Sequence, residues 1–101
     1  MSVSKKISDD KKEFVIKVKG KFDFSYYEKF SECYADAPKE VELFILDFKD
    51  TIYIDSSALS MILLLKEHAE KKSSKVKIVN ATANVKKLLE LANFHKLFEV
   101  E

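Results

Sequence analysis

One stretch narrows the possible folds more than any other. Residues 46–72, LDFKDTIYIDSSALSMILLLKEHAEKK, run from the most apolar strand candidate through a polar step, Asp55-Ser56-Ser57, into the most apolar helix candidate. Upstream, residues 41–48 (VELFILDF) are nearly continuous in apolar side chains, the pattern of a strand covered on both faces. Downstream, Ala58, Met61, Ile62, Leu65 and Ala69 share one stripe of a helix that runs to about Lys72, so that stripe faces the core. Leu59, Leu63 and Leu64 fall outside it, and Leu63 and Leu64 flank the polar face of Ser60, Glu67 and Lys71 from either side. Either a neighbouring helix covers them or they form a partner-facing patch. The step itself is a helix N-terminus, where unpaired N–H groups and partial positive charge suit an anion.

That strand-to-helix unit needs a sheet around it. Asp9-Asp10-Lys11-Lys12 reads as a turn between a weakly alternating start (Val3, Ile7) and the cleaner alternation Phe14, Ile16, Val18, Gly20, Phe22, which gives two antiparallel strands. Lys17, Lys19 and Lys21 take the opposite phase, so one face of the second strand is wet. Gly20, the only glycine, predicts a bend or a close backbone approach just before Asp23. Ser25-Tyr26-Tyr27-Glu28 has the spacing of a capping box and predicts a helix start at Ser25. Tyr26, Tyr27, Phe30, Cys33, Tyr34 and Ala37 come next at helical spacing as core, until Pro38 ends the pattern.

After the turn Lys49-Asp50-Thr51 comes a short apolar piece, Ile52-Tyr53-Ile54, and then the step. Ser73-Ser74 breaks the central helix, residues 76–79 form another strand, and Thr82 caps a third helix with Val85, Leu88, Leu89 and Ala92 on its apolar stripe. Asn93 suits a left-handed cap, and the tail closes with a short helix or strand. The order β-β-α-β-α-β-α requires parallel pairing through right-handed crossovers, hence an α/β domain with a mixed sheet, and residues 1–101 are enough for one such domain. Sites in such sheets gather beyond the carboxyl ends of the parallel strands, here near Asp23, residues 50–57, and Asn80 to Thr82. Three loops are therefore expected to converge on one patch.

Several chemistries fit poorly. Eighteen basic residues against 17 acidic ones leave a net charge of +1, with no electrostatic footprint for nucleic acid or an anionic membrane. All the basic residues are lysine, which removes the bidentate arginine clamp for phosphate or carboxylate. Cys33 is single and reads as a half-buried helix residue, without a disulfide or a metal pattern around it. Asp47, Asp50 and Asp55 lack the spacing of a calcium loop and read as solvated or capping residues. No Lys or His stands beside the serines as a base, and His68 and His95 suit packing or surface roles, so no catalytic set can be assembled. No cofactor is expected. The N-terminal residues have charge but no apolar core of a signal peptide, and residues 61–65 are far too short an apolar run to cross a bilayer, so a cytoplasmic location is expected.

The chain resembles the STAS domains, and within them the stand-alone anti-sigma factor antagonists of bacteria. The resemblance rests on Gly20-x-Phe22-Asp23, on Leu46-Asp47-Phe48 followed by Ile54-Asp55-Ser56-Ser57-Ala58-Leu59, and on Val79-Asn80 before the last helix. It implies a STAS-like single domain whose mixed sheet has four to five strands and whose helices pack mainly on one face. It also implies a non-enzymatic switch. The protein would bind an anti-sigma factor or serine kinase when unphosphorylated and be released when Ser57, or as second choice Ser56, is phosphorylated. A PP2C-like phosphatase would reset it. Asp23, Asp55, Ser56, Ser57, Ala58, Leu59, Leu63, Leu64, Asn80 and Thr82 would form the partner surface of a monomer or weak dimer. The family often has glycine where Ala58 and Ser60 stand, so this helix start is stiffer. Some STAS domains instead serve as accessory parts of membrane transporters or lipid-trafficking complexes, a branch against which the two serines argue.

Overall fold

Apolar alternation becomes strand, and apolar stripes become helix, in the order β1 (Ser2–Ile7), β2 (Glu13–Phe22), α1 (Tyr27–Ala35), β3 (Leu43–Asp47), β4 (Thr51–Ile54), α2 (Ser56–Lys71), β5 (Lys75–Val79), α3 (Ala83–Leu91) and β6 (Glu99–Val100). Short 3-10 turns precede α1 (Phe24–Tyr26) and follow α3 (Phe94–Lys96). These elements come from a computed structural model, which describes residues 2–101.

The α/β class and the mixed sheet are as the sequence predicts. The sheet order is β1-β2-β3-β5-β6, with β1 antiparallel to β2 and the other pairings parallel. It has six strands rather than four or five. The apolar piece before the serine step is itself a strand, β4, and the tail contributes β6, pairing Glu99 and Val100 with Lys77 and Ile78. Strand β2 is ten residues long and serves two parallel neighbours in turn. Residues Glu13 to Lys17 pair with β3, and Gly20 to Phe22 pair with β4. The ladder is irregular between Gly20 and Lys21, and Gly20 adopts φ +86°, so the predicted bend is there.

One core joins the helices to one face of this sheet. Phe14, Ile16, Val18 and Phe22 on β2, Phe44 and Leu46 on β3, and Ile78 on β5 are buried against Phe30 of α1, Ile62 and Leu65 of α2 and Leu89 of α3. Each such side chain contributes roughly 1.5–3 kcal/mol when fully withdrawn from water. Strand β3 departs from expectation here. Leu43, Ile45 and Asp47 are only half-buried, because no helix among the described residues lies over the second face and the run is closed on one side alone.

The start of α1 also differs. Asp23, not Ser25, is the capping residue, and it caps the 3-10 turn that leads into the helix. Its carboxylate accepts from the Ser25 N–H, the donor that a capping box would have given to the Glu28 side chain. Insertion of that turn changes the phase of the aromatic stripe. Tyr26, Phe30, Tyr34 and Ala37 are buried, whereas Tyr27, assigned to the core by spacing, is 46% exposed.

Candidate functional site

Phe22 and Ile54 end neighbouring parallel strands in register, and the N–H of Asp55 donates to the Phe22 carbonyl at 3.4 Å. Asp23 and Asp55 are therefore brought side by side, each one residue beyond a buried strand end. They do the same work. The Asp23 carboxylate accepts from the Ser25 N–H at 3.0 Å and from the Ser25 hydroxyl at 2.5 Å, and the Asp55 carboxylate accepts from the Ala58 N–H at 2.9 Å. The Ser25 hydroxyl first, then its N–H, hold the Asp23 carboxyl below the usual carboxylate range, so it is an anion at neutral pH.

At the α2 start the backbone donors are only partly used. Asp55 takes the Ala58 N–H with its side chain and the Leu59 N–H with its carbonyl, at 3.2 Å. Among the described residues, the N–H groups of Ser56 and Ser57 have no capping acceptor, as the first turn of a helix dictates. Ser56 is exposed and Ser57 half-buried. Ala58 is wholly buried, which corrects its place on the partner surface: it has no area to offer and instead seats the helix start on the core.

Further along α2, the two flanks separate. His68 packs on the Tyr34 ring of α1, with ring centroids 4.9 Å apart, so the flank carrying Ser57, Leu64 and His68 at spacings of seven and four faces α1. Leu63 lies on the other flank with Leu59, Lys66 and Glu70, the last two forming an ion pair at 3.1 Å. Leu63 and Leu64 are both 42% exposed, with no helix among the described residues covering either, while Leu59 is partly buried against the core.

Asn80 and Thr82 have hydrogen-bond partners of their own. Asn80, in the left-handed region at φ 60°, donates from Nδ2 to the Asp47 carboxylate at 3.0 Å, and Thr82 caps α3 by accepting from the Val85 N–H at 3.3 Å. Two pairs order this end of the sheet: Asp23 beside Asp55, and Asp47 bonded to Asn80. Among the described residues no hydrogen bond joins one pair to the other. Nor does any group of three or more His, Cys, Asp or Glu stand within reach of a single metal ion among the described residues.

Sequence reasoning missed Phe24. It is 69% exposed and stacks on Tyr27 at 5.8 Å and 28°, directly after Asp23. Strand alternation would place Phe24 inward beside Phe22; the 3-10 turn reverses it. No local pattern announces this, because Phe24 continues the apolar phase of β2 past Asp23.

A family model described as STAS domain matches residues 3–101 of the chain. This protein belongs to the STAS domain family. A STAS-domain containing protein of Pseudomonas aeruginosa (strain UCBPP-PA14) is 32% identical over 100 residues, covering 99% of each chain. The fold of this STAS domain is similar to that of the anti-sigma factor antagonist SpoIIAA in its unphosphorylated form, at a TM-score of 0.76 and 16% identity over 99% of this chain and 87% of that one. SpoIIAA, a Bacillus cell fate determinant, has also been solved in its phosphorylated form. A sulfate transporter family protein from Wolinella succinogenes is similar as well, at a TM-score of 0.80 and 14% identity over 94% of this chain and 79% of that one. At such identities the likeness speaks for the STAS fold alone. No helix among the described residues of this STAS domain is long and apolar enough to cross a membrane.

Proposed function

We propose that this STAS domain is an anti-sigma factor antagonist, a binding module switched by phosphorylation of Ser57. The observation that carries the reading is the α2 start: a serine at the second helical position, partly accessible, beside the paired acids Asp23 and Asp55 and next to uncapped N–H groups. Likeness to SpoIIAA, known in both phosphorylation states, supports it.

Phosphate on Ser57 adds about −1.5 to −2 charges at a helix N-terminus, where free donors and the helix dipole accommodate it, so the fold survives. The partner does not tolerate the change. An interface fitted to a neutral hydroxyl would bury an unpaired dianion beside Asp55 and Asp23, at a cost on the order of 2–5 kcal/mol. The domain is then substrate and switch, acted on by a serine kinase and a PP2C-like phosphatase, with an anti-sigma factor or kinase-type regulator as its partner in the cytoplasm. Asp23, Ser56, Ser57 and Leu64, with the Phe24–Tyr27 pair, supply the surface nearest the phosphate.

A second reading, an accessory domain docked constitutively on a membrane transporter, is supported by the likeness to the Wolinella protein. Phosphate analysis by mass spectrometry after growth under varied conditions separates the two. Phosphate on Ser57, with calorimetry showing that Ser57→Asp weakens the regulator captured by Ser57→Ala, is the expected result. Absence of phosphate from Ser56 and Ser57 under every condition, with capture of transporter subunits only, overturns it.

A further inference from the structure

Among the described residues nothing covers the face of the sheet opposite the helices, and its charge is lopsided. The phase opposite to the core carries Lys6 on β1, Lys17, Lys19 and Lys21 on β2, and Lys75 and Lys77 on β5. Against these six lysines the strands place only Glu13, Asp47 and Glu99 on the same face. In a chain of net charge +1, this leaves one positive face and a negative remainder. Lys77 is paired with Glu101 at 3.0 Å, but the row Lys17, Lys19, Lys21 forms no ion pair among the described residues.

Between the lysine columns runs an aliphatic strip. Register puts Val15 beside Ile45 and Leu43 beside Lys75, and Val15, Leu43, Ile45 and Val79 are half-buried although no other element lies over them. Lysine stems flanking such a strip leave its centre apolar and its borders cationic. At the β6 edge of the sheet, beside the strip, a cavity of about 470 Å³ is lined by Leu43, Lys75, Leu97 and Phe98 and, from α2, by Lys66 and Glu70. It exists because β6 is two residues long and leaves Lys75 and Val76 unpaired on that side.

We propose that this face is a docking surface, separate from the serine step, for an acidic amphipathic helix of a partner protein. The dimensions fit. The lysine columns of β2 and β5 flank β3 at two strand spacings, about 10 Å, which is close to the ~10–12 Å width of a helix with its side chains. A helix lying along β3 sets its apolar stripe on Val15, Ile45 and Leu43 and its bordering carboxylates against Lys17, Lys19 and Lys75. A lipid surface or a nucleic acid fits less well. Either brings a continuous array of phosphates against Glu13, Asp47 and Glu99, and a nucleic acid has no aliphatic side chains for the strip.

The full chain, labelled with nitrogen-15, is titrated with a synthetic helix bearing leucine on one stripe and glutamate elsewhere, with its lysine counterpart, and with vesicles of phosphatidylcholine and phosphatidylserine in equal parts. The acidic helix is expected to shift the amides of Lys17, Ile45 and Lys77 and to bind more weakly in higher salt. Lys17→Glu with Lys19→Glu is expected to lower its affinity at least about tenfold, the size of one or two lost charge contacts. Lys17→Gln with Lys19→Gln reads the same loss if charge reversal disturbs the fold. Equal binding of the lysine helix, wild-type affinity in the variants, shifts confined to residues 56–64, or binding to vesicles in place of the acidic helix would each overturn the proposal. Since the serine step plays no part in this titration, its failure leaves the phosphorylation reading standing.

Discussion

The Asp55 N–H donates to the Phe22 carbonyl at 3.4 Å, and this contact sets two helix starts beside each other at the end of one parallel strand pair. Through it the last inward residue of β2 governs where the serine step sits. Phe22 is in turn fixed by three aromatic neighbours, Phe30 at 5.0 Å, Tyr26 at 5.7 Å and Phe48 at 6.0 Å.

Removal of the Asp55 side chain tests how much of α2 depends on its cap, while leaving the backbone contact to Phe22 in place. Asp55→Ala strands the Ala58 N–H and is expected to cost ~1 kcal/mol, a fall in the thermal midpoint of roughly 4–8 °C for a domain of this size. Asp55→Asn keeps an acceptor and should recover most of it. Equal losses in both variants by circular-dichroism melting would show that the carboxylate has some role other than capping.

The two exposed leucines of α2 should behave differently. Leu64 shares the flank of Ser57 and faces α1, whereas Leu63 lies on the far flank with the Lys66–Glu70 pair. Glutamate at either site is expected to change stability by less than about 0.5 kcal/mol, as exposed substitutions do. Leu64→Glu should weaken capture of the regulator and Leu63→Glu should not. The reverse ranking in a pull-down with Ser57→Ala protein would move the partner surface to the other flank.

His68 makes stability depend on pH near neutrality. Burial first, then the Lys72 and Lys71 charges, hold its pKa below the ordinary 6.5, and its Nε2 is buried without a hydrogen-bond partner among the described residues. The unfolded chain therefore takes up the proton before the folded one does. Stability is unaffected above pH 6.5, falls as pH drops below that value, and stops falling from this cause beneath the folded pKa. His68→Phe keeps a ring against Tyr34 and should flatten urea-denaturation midpoints measured between pH 7.5 and about 5. Unchanged pH dependence in that variant would assign the effect to other groups.

Gly20→Ala probes the bend. A methyl group there would meet only the Tyr26 Oη, at 3.9 Å, so space is not the obstacle; the cost comes from φ +86°. A loss of roughly 1–3 kcal/mol is expected for a side chain held in that conformation, and it should show in chemical denaturation. Tyr26, whose hydroxyl donates to the Lys19 carbonyl, pins the same bend.

The fold was readable where one physical rule acted alone. Alternation placed Phe14, Ile16 and Val18 inward, and helical spacing placed Ala58, Met61, Ile62, Leu65 and Ala69 in the core, as found. Thr82 and Asn93 took the caps their chemistry suggests. Readings failed where a short irregular element changed the phase: the 3-10 turn after Asp23 turned Phe24 and Tyr27 outward and displaced the cap from Ser25. The serine step was legible as a helix start, but the pairing of β4 with the end of β2, which sets Asp55 beside Asp23, is announced by no local pattern.

That shared use of β2 bears on how the chain reaches its fold. Its hairpin with β1 closes across a few residues, whereas β3 and β4 must each return over the whole α1 crossover before they can pair. The hairpin can form in microseconds, while the distant parallel pairings set a slower overall rate. Residues in the middle of β2, such as Ile16 and Val18, should therefore slow folding when truncated. Residues at the α2 start should chiefly hasten unfolding, so the region that changes charge in the proposed switch would be assembled last and released first.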